Sequence, residues 1–313
     1  MRNSATKLMT SVSVGSLALL LAGTAFAADV PEAARFEEPA QARTISGHLD
    51  IMFGKRYEDN TSGYCSTSGE CEPWLVRGDA RVDIPYNENW SIQLDIGGVG
   101  TVGYTQSLSS DDEWDGSIWG GGHVSYRRMD SWLVGAFGGL GQYSIPSDED
   151  DSADGFVAGI EGQYYWNDLT LYAQGGVVDM DSDDDGGLED AWFLRGVARY
   201  FFNSGHTKVQ GEVAYADGRA DSDDATLWAF GAEVEHQVYG WGNDGHAAVF
   251  ANYYGVMADT DDDNESPTDH RFMVGMKFAM NQYSLKTEDR SGATLDLPNF
   301  THWSSTVCIA ECN

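Results

Sequence analysis

Trp74-Leu-Val-Arg-Gly-Asp-Ala-Arg-Val-Asp-Ile84 is the stretch on which the fold turns. Trp74, Val76, Gly78, Ala80, Val82 and Ile84 take one set of alternate positions. Leu75, Arg77, Asp79, Arg81 and Asp83 take the other. A strand sends successive side chains to opposite faces, so this stretch has one greasy face and one charged face. A helix, with its period of 3.6, mixes the two sets.

The same alternation recurs along the chain. Ile45, Leu49, Ile51 and Phe53 oppose His48 and Asp50, and Trp90, Ile92, Leu94 and Ile96 oppose Gln93 and Asp95. Phe156, Ala158, Ile160 and Tyr164 oppose Glu161 and Gln163. Trp228, Phe230, Ala232 and Val234 oppose Glu233 and Glu235. With weaker runs between them, the pattern predicts twelve strands: 44–55, 74–84, 90–103, 118–127, 132–140, 155–165, 169–178, 191–201, 207–215, 226–238, 247–257 and 270–280. Pro31, Pro39, Pro73, Pro85, Pro146, Pro267 and Pro298 all fall outside these spans, as they must if proline is to stay off the hydrogen-bonded ladder.

The connections alternate in kind. Short turns follow the even strands, and long acidic loops (56–73, 104–117, 144–154, 179–190, 216–225 and 258–269) follow the odd ones. A hairpin therefore recurs every 37 to 46 residues. An even number of strands with short turns at one end and long loops at the other is the outer-membrane barrel pattern. Tryptophans 74, 119, 192 and 228 near the loops, and 90, 132, 166 and 241 near the turns, fit aromatic girdles at the two membrane surfaces. The expected fold is all-β: an antiparallel up-and-down transmembrane β-barrel of about twelve strands. A secreted soluble β-sandwich is the rival, but the many small residues on the apolar faces would leave it a thin core.

The N-terminus sets the compartment. Arg2 and Lys7 precede an apolar run, Val12 to Leu21, and then Ala25-Phe26-Ala27. This is the layout of a secretory signal peptide over 1–27, and the run is too short for a membrane-spanning helix. Residues 28–43 read as a short periplasmic lead, 44–280 as the barrel, and 281–313 as either a periplasmic tail or a plug. Without the leader the chain has 16 basic against 50 acidic side chains, a net charge of −34. That balance excludes nucleic acid as a partner, since its binding needs a basic patch. The 12% aromatic content argues that the acid sits on a folded body. Export permits disulfides, and local pairing of Cys65 with Cys71 and of Cys308 with Cys312 is the expected set.

With these features the chain resembles the porin-like outer-membrane β-barrel proteins of Gram-negative bacteria, over about residues 44–280. The local motif is the final strand, where Gly275, Phe278 and Met280 fit the spacing read by the barrel assembly machinery. The family usually stops there, whereas this chain runs on to Asn313. Either the signal is tolerated internally or the last strand lies elsewhere. The resemblance implies the outer membrane, with its lipid and lipopolysaccharide as neighbours. It sets no oligomeric state and implies no cofactor.

Alternation points one set of charges inward. The expected pore-lining residues are Arg77, Asp79, Arg81, Asp83, Asp95, Arg127, Glu161, Arg195, Arg199, Glu212, Glu233, Glu235, Arg271 and Lys277. Twelve strands fall between the side-chain-filled eight-stranded barrel and the open porin. The expected function is a narrow channel for ions or small polar solutes, mildly cation-selective because acidic loops gather cations at the mouth. A non-conducting structural or adhesive barrel is the alternative. A lipid hydrolase is a third reading, resting only on the same-face pairs His123/Ser125 and His48/Asp50. In the loops, Asp181, Asp183 and Asp185 precede Gly186 with the alternating oxygen ligands of a calcium loop, though its closing glutamate is replaced by Trp192.

Overall fold

The computed structural model describes residues 43–59, 73–102, 116–144, 152–182, 187–220, 223–260 and 266–311. The expected leader and nearly all of the lead lie outside the described residues. So do Cys65, Cys71, Cys312, Asp183 and Asp185.

Twelve strands form one closed antiparallel barrel in sequence order. They are β1 (Ser46–Asp59), β2 (Trp74–Pro85), β3 (Trp90–Val102), β4 (Gly116–Arg128), β5 (Trp132–Ser144), β6 (Ser152–Trp166), β7 (Leu169–Ser182), β8 (Glu189–Phe202), β9 (Thr207–Ala220), β10 (Asp223–Gly240), β11 (Gly245–Thr260) and β12 (Thr268–Met280). β1 closes on β12 in an unbroken register from Gly47 opposite Met280 to Asp59 opposite Thr268. Closure removes the free edges that a membrane cannot tolerate. The chain reverses at the short-turn end through left-handed backbone at Asp130 (φ 57°) and Asn167 (φ 54°), residue types that adopt it at low cost.

The in/out register holds. Ile51, Trp74, Ile92, Ile96, Leu140, Ile160, Leu194 and Val274 are exposed on the outer wall, as lipid contact requires. Asp50, Asp79, Asp83, Arg127, Glu161, Arg195 and Lys277 are buried inside. Trp119 departs from the expected girdle. It shares parity with His123, Ser125 and Arg127, faces inward, and lies 4.8 Å from the Arg77 guanidinium.

The strands outrun their expected ends at the long-loop end. β7 continues to Ser182 and β8 resumes at Glu189, so much of the expected 179–190 loop is ladder. The expected 216–225 loop shrinks to the gap between Ala220 and Asp223. Ladder bonds are made by backbone, so they persist where acidic side chains erase the apolar alternation. Asp181, expected in a calcium loop, is an exposed residue of β7 opposite Asp154.

After β12 the chain turns back into the barrel. Helix α1 (Leu285–Ser291) is capped by Ser284, whose hydroxyl accepts from the Thr287 amide. An extended segment, 292–299, follows, and then helix α2 (Phe300–Glu311). Together they form a plug inside the lumen.

Candidate functional site

The plug meets two different surroundings. At the short-turn end, α1 and the extended segment enter a polar ring. Glu288 is approached by His48 Nδ1 at 2.7 Å, His246 Nε2 at 3.3 Å and Lys277 Nζ at 3.5 Å. Burial pushes its carboxyl up, but Lys277 and the two histidines prevail and hold it well below the usual carboxylate range. Arg199 donates to Asp289 Oδ1, Thr294 O, Thr294 Oγ1, Asp296 Oδ1 and Gln210 Oε1 at 2.8 to 3.0 Å. Arg195 reaches Glu212 at 2.7 Å and Asp296 at 2.5 Å. The two arginines outweigh burial and keep Asp296 far below its ordinary value. Gln93 grips the Leu295 backbone twice, donating to its carbonyl at 2.6 Å and accepting from its amide at 3.1 Å.

At the long-loop end, α2 sits in an apolar socket. Phe300, Trp303 and Val307 pack with Phe193, Val178, Met180, Leu227 and a set of inward alanines that includes 214, 216, 229 and 258. Trp303 is fully buried, and its indole N–H donates to Tyr254 at 2.8 Å. His302 contacts Asp269 at 2.8 Å, while burial and the nearby Arg271 lower its pKa to about 3. It therefore faces Asp269 as a neutral imidazole.

Glycines seat the plug on one wall. A Cβ at Gly121 or Gly139 would come within 2.9 Å of Leu297, and one at Gly141 within 2.6 Å of Thr301. Only a missing side chain lets the plug lie this close to β4 and β5. α2 also packs directly on β9–β11, but beside the extended segment the opposite wall stands off, leaving a cavity of about 160 Å³ lined by β1, β2 and β8–β12 on one side and the plug on the other.

Ten of the fourteen expected pore-lining residues border this cavity: Arg77, Asp79, Arg81, Arg195, Arg199, Glu212, Glu233, Glu235, Arg271 and Lys277. The other four lie on the occupied side. Asp95 and Glu161 clamp His123 at 3.1 and 2.8 Å, and Arg127 donates to Gly292 O at 3.0 Å. Asp83 binds Arg43, which was expected in the periplasmic lead but is anchored inside the barrel at 2.8 Å.

The hydrolase geometry is not assembled at either pair. Both ring nitrogens of His123 face carboxylates, and Ser125 instead meets Ser91 at 3.2 Å. His48 is engaged by Glu288 and Asp50, with no hydroxyl nucleophile hydrogen-bonded to it among the described residues.

Sequence reasoning missed Glu288, Asp289, Asp296, Asn299 and His302, which supply the plug side of the site. The available signals were the apolar inward positions in the loop-end halves of β8–β10 (Ala191, Phe193, Ala214, Ala216, Leu227 and Ala229) and the Trp303 in a segment that is not a strand. Both imply a partner inside the lumen.

A closed barrel, an apolar outer belt and a polar-lined interior define an outer-membrane β-barrel, resident in the cell outer membrane. No family model matches the chain, and no curated protein matches it. Solved structures that it resembles include an outer membrane channel from Pseudomonas putida, at 12% identity and a TM-score of 0.45, covering 78% of this chain and 98% of that one. Another is the β domain of a Bordetella autotransporter, at 15% and 0.43, covering 76% and 99%. A loop-deletion mutant of OmpT, an outer membrane protein of Vibrio cholerae, aligns at 12% and 0.39, covering 76% and 100%. Likeness this distant leaves the site to be read from the chain's own residues.

Proposed function

We propose that the protein is an outer-membrane channel narrowed by its own C-terminal segment, carrying ions or small polar solutes along the crevice beside the plug. The observation that supports this is the off-centre seat. The glycines of β4 and β5 draw the segment around Leu297 to Thr301 to one wall, and a cavity bordered by charges of both signs remains beside it. Buried charge of this density is stable only if paired or wet, and these side chains are ion-paired along the edge of an open space. In this reading the long loops face outward, where their acid enriches cations and meets lipopolysaccharide through bridging divalent ions. The β12 motif serves the assembly machinery from an internal position. A Cys308–Cys312 disulfide would stiffen the end of α2.

The test is single-channel recording of refolded protein in a planar bilayer. Small, discrete conductances with a cation preference that fades at high salt are expected, since the Debye length falls from ~10 Å at 0.1 M to ~3 Å at 1 M. Silence from protein whose folding is established by heat-modifiable gel mobility overturns the channel. A non-conducting structural barrel is the second reading, and the apolar socket around Trp303 favours it, because that half of the lumen is packed like a core.

A further inference from the structure

The geometry points to a binding site for a compact polycarboxylate on the β8 wall, formed by Arg195 and Arg199 with Arg81 across the cavity, and filled at rest by the plug's own Asp289 and Asp296. The inference rests on the channel reading for the ligand's route in, and its chemistry comes from three features.

The first is how Arg199 is satisfied. Its donors reach five acceptors, four of which belong to the plug. Only Gln210 Oε1, at 2.9 Å, comes from the barrel wall. Without the plug, the guanidinium would keep one neutral partner. A buried arginine with so little of its own wall around it is the mark of a site built for an incoming acceptor.

The second is the geometry of what fills it. Asp289 takes Nη1 and Asp296 takes Nη2 of the same guanidinium, each at 2.8 Å, and Asp296 reaches on to Arg195 at 2.5 Å. Two carboxylates therefore lie within the span of one guanidinium. A molecule replacing both must carry two or three carboxylates on a short skeleton. A monocarboxylate covers half the site. The Tyr172 ring backs both cations, at 5.8 Å from Arg195 and 5.2 Å from Arg199, and holds the pair in place when the acids leave.

The third is access. Asp289 and Asp296 border the cavity, as does Arg81, which lies in the field of Asp50, Asp79, Asp95 and Asp296 without a direct ion pair among the described residues. A ligand in the crevice meets Arg81 first and the occupied pair next. The plug is tied to β12 by the short segment 281–284, so its acids compete as a tethered ligand with a high effective concentration. The wild-type protein should therefore bind free polycarboxylate weakly.

The experiment is calorimetric titration of the full-length folded protein with citrate, with acetate and inorganic phosphate as comparisons. Asp289→Asn/Asp296→Asn keeps the shape of the plug and removes the two carboxylates that fill the site. It should bind citrate at least about tenfold tighter than wild type, ~1.4 kcal/mol. Adding Arg199→Gln should abolish the gain. In bilayers the double variant should shift toward anion preference, and citrate should block its current. If the double variant does not fold, the wild-type protein still decides. Millimolar citrate should speed amide exchange over 285–299, and acetate at equal ionic strength should not. Equal citrate affinity in all three proteins, or equal effects of citrate and acetate, overturns the inference. Tighter binding of phosphate than of citrate overturns the polycarboxylate assignment. Protein that binds citrate as described but is silent in KCl overturns the channel and leaves the site standing.

Discussion

The two ends of the plug are held by opposite physics. α2 lies in a socket of alanine, valine, methionine and phenylalanine, where its attachment is mainly burial of aromatic surface. α1 and the segment after it lie among arginines, lysine and histidines, where ion pairs and hydrogen bonds accompany two small apolar clusters around Leu285 and Leu295. The first kind of attachment is indifferent to small ligands and insensitive to salt. The second can be exchanged, partner for partner, with a solute that carries the right charges. The difference suggests which end anchors and which end responds: the loop-end helix fixes the plug, and the turn-end segment does the recognising.

The largest expected effects form a matched pair that can break this contrast. Arg199→Leu leaves Asp289 and Asp296 without their shared partner in a buried setting, a loss of about 3–5 kcal/mol. Trp303→Ala empties the centre of the apolar socket and should cost about 3–5 kcal/mol as well. Their conditions of rescue differ. A temperature series of heat-modifiable gel mobility, repeated with citrate, should raise the midpoint of Arg199→Leu not at all and that of Asp289→Asn/Asp296→Asn clearly. Trp303→Ala should respond no more than wild type. Rescue of Trp303→Ala by citrate would erase the division between the two ends.

Much of this fold is visible in the residues themselves, and the boundary of what is visible has a physical cause. Alternation such as that of 74–84 exists because one wall meets lipid and the other does not, so strand number, face and order can all be read. Strand ends at the loop side cannot, because a ladder in water needs no apolar face. The charged wall of the lumen is legible for the same reason as the strands. The plug partners of Arg195 and Arg199 are not, because Asp289 and Asp296 lie about 90 to 100 residues away in a segment with no periodicity to betray its place. The glycine seat at 121, 139 and 141 is equally silent, since a glycine in a barrel strand reads the same whether it faces lipid or a plug.

The next effect in size tests the outer wall, which the account treats as lipid-facing. Ala80→Arg should cost about 2–4 kcal/mol in assembly, as for arginine near the midplane of a barrel's lipid face, while its neighbour Asp79→Ser should be far milder. Yield of the folded, heat-modifiable form is the measure. Equal behaviour of the two variants would mean that the register of β2 is slipped by one residue.

The smallest effect sharpens the comparison through pH. His302 has its pKa lowered to about 3 in the docked helix, against about 6.5 when free in water. As pH falls below that ordinary value, the undocked form takes up a proton that the docked form does not. Docking of α2 therefore weakens on acidification by at most roughly 1.4 kcal/mol per pH unit. Glu288 has the opposite sign. Its depressed pKa keeps α1 docked at full strength until the pH drops below the ordinary carboxylate range. Between pH 7 and pH 5 only the α2 end should loosen, seen as faster amide exchange over 300–308 relative to 285–291, and His302→Gln should remove the change. Loosening at α1 first would contradict the assignment.

The central claim is that the C-terminal segment fills the lumen, and hydrogen exchange of the folded full-length protein in lipid nanodiscs tests it most directly. Amides of 285–308 should exchange slowly, with protection approaching that of the barrel strands, and the Leu295 amide held by Gln93 should be among the slowest of the plug. Exchange of the whole segment within seconds, from a barrel whose strands remain protected, would mean that it hangs outside as a tail and that the crevice, the seat and the site it forms do not exist.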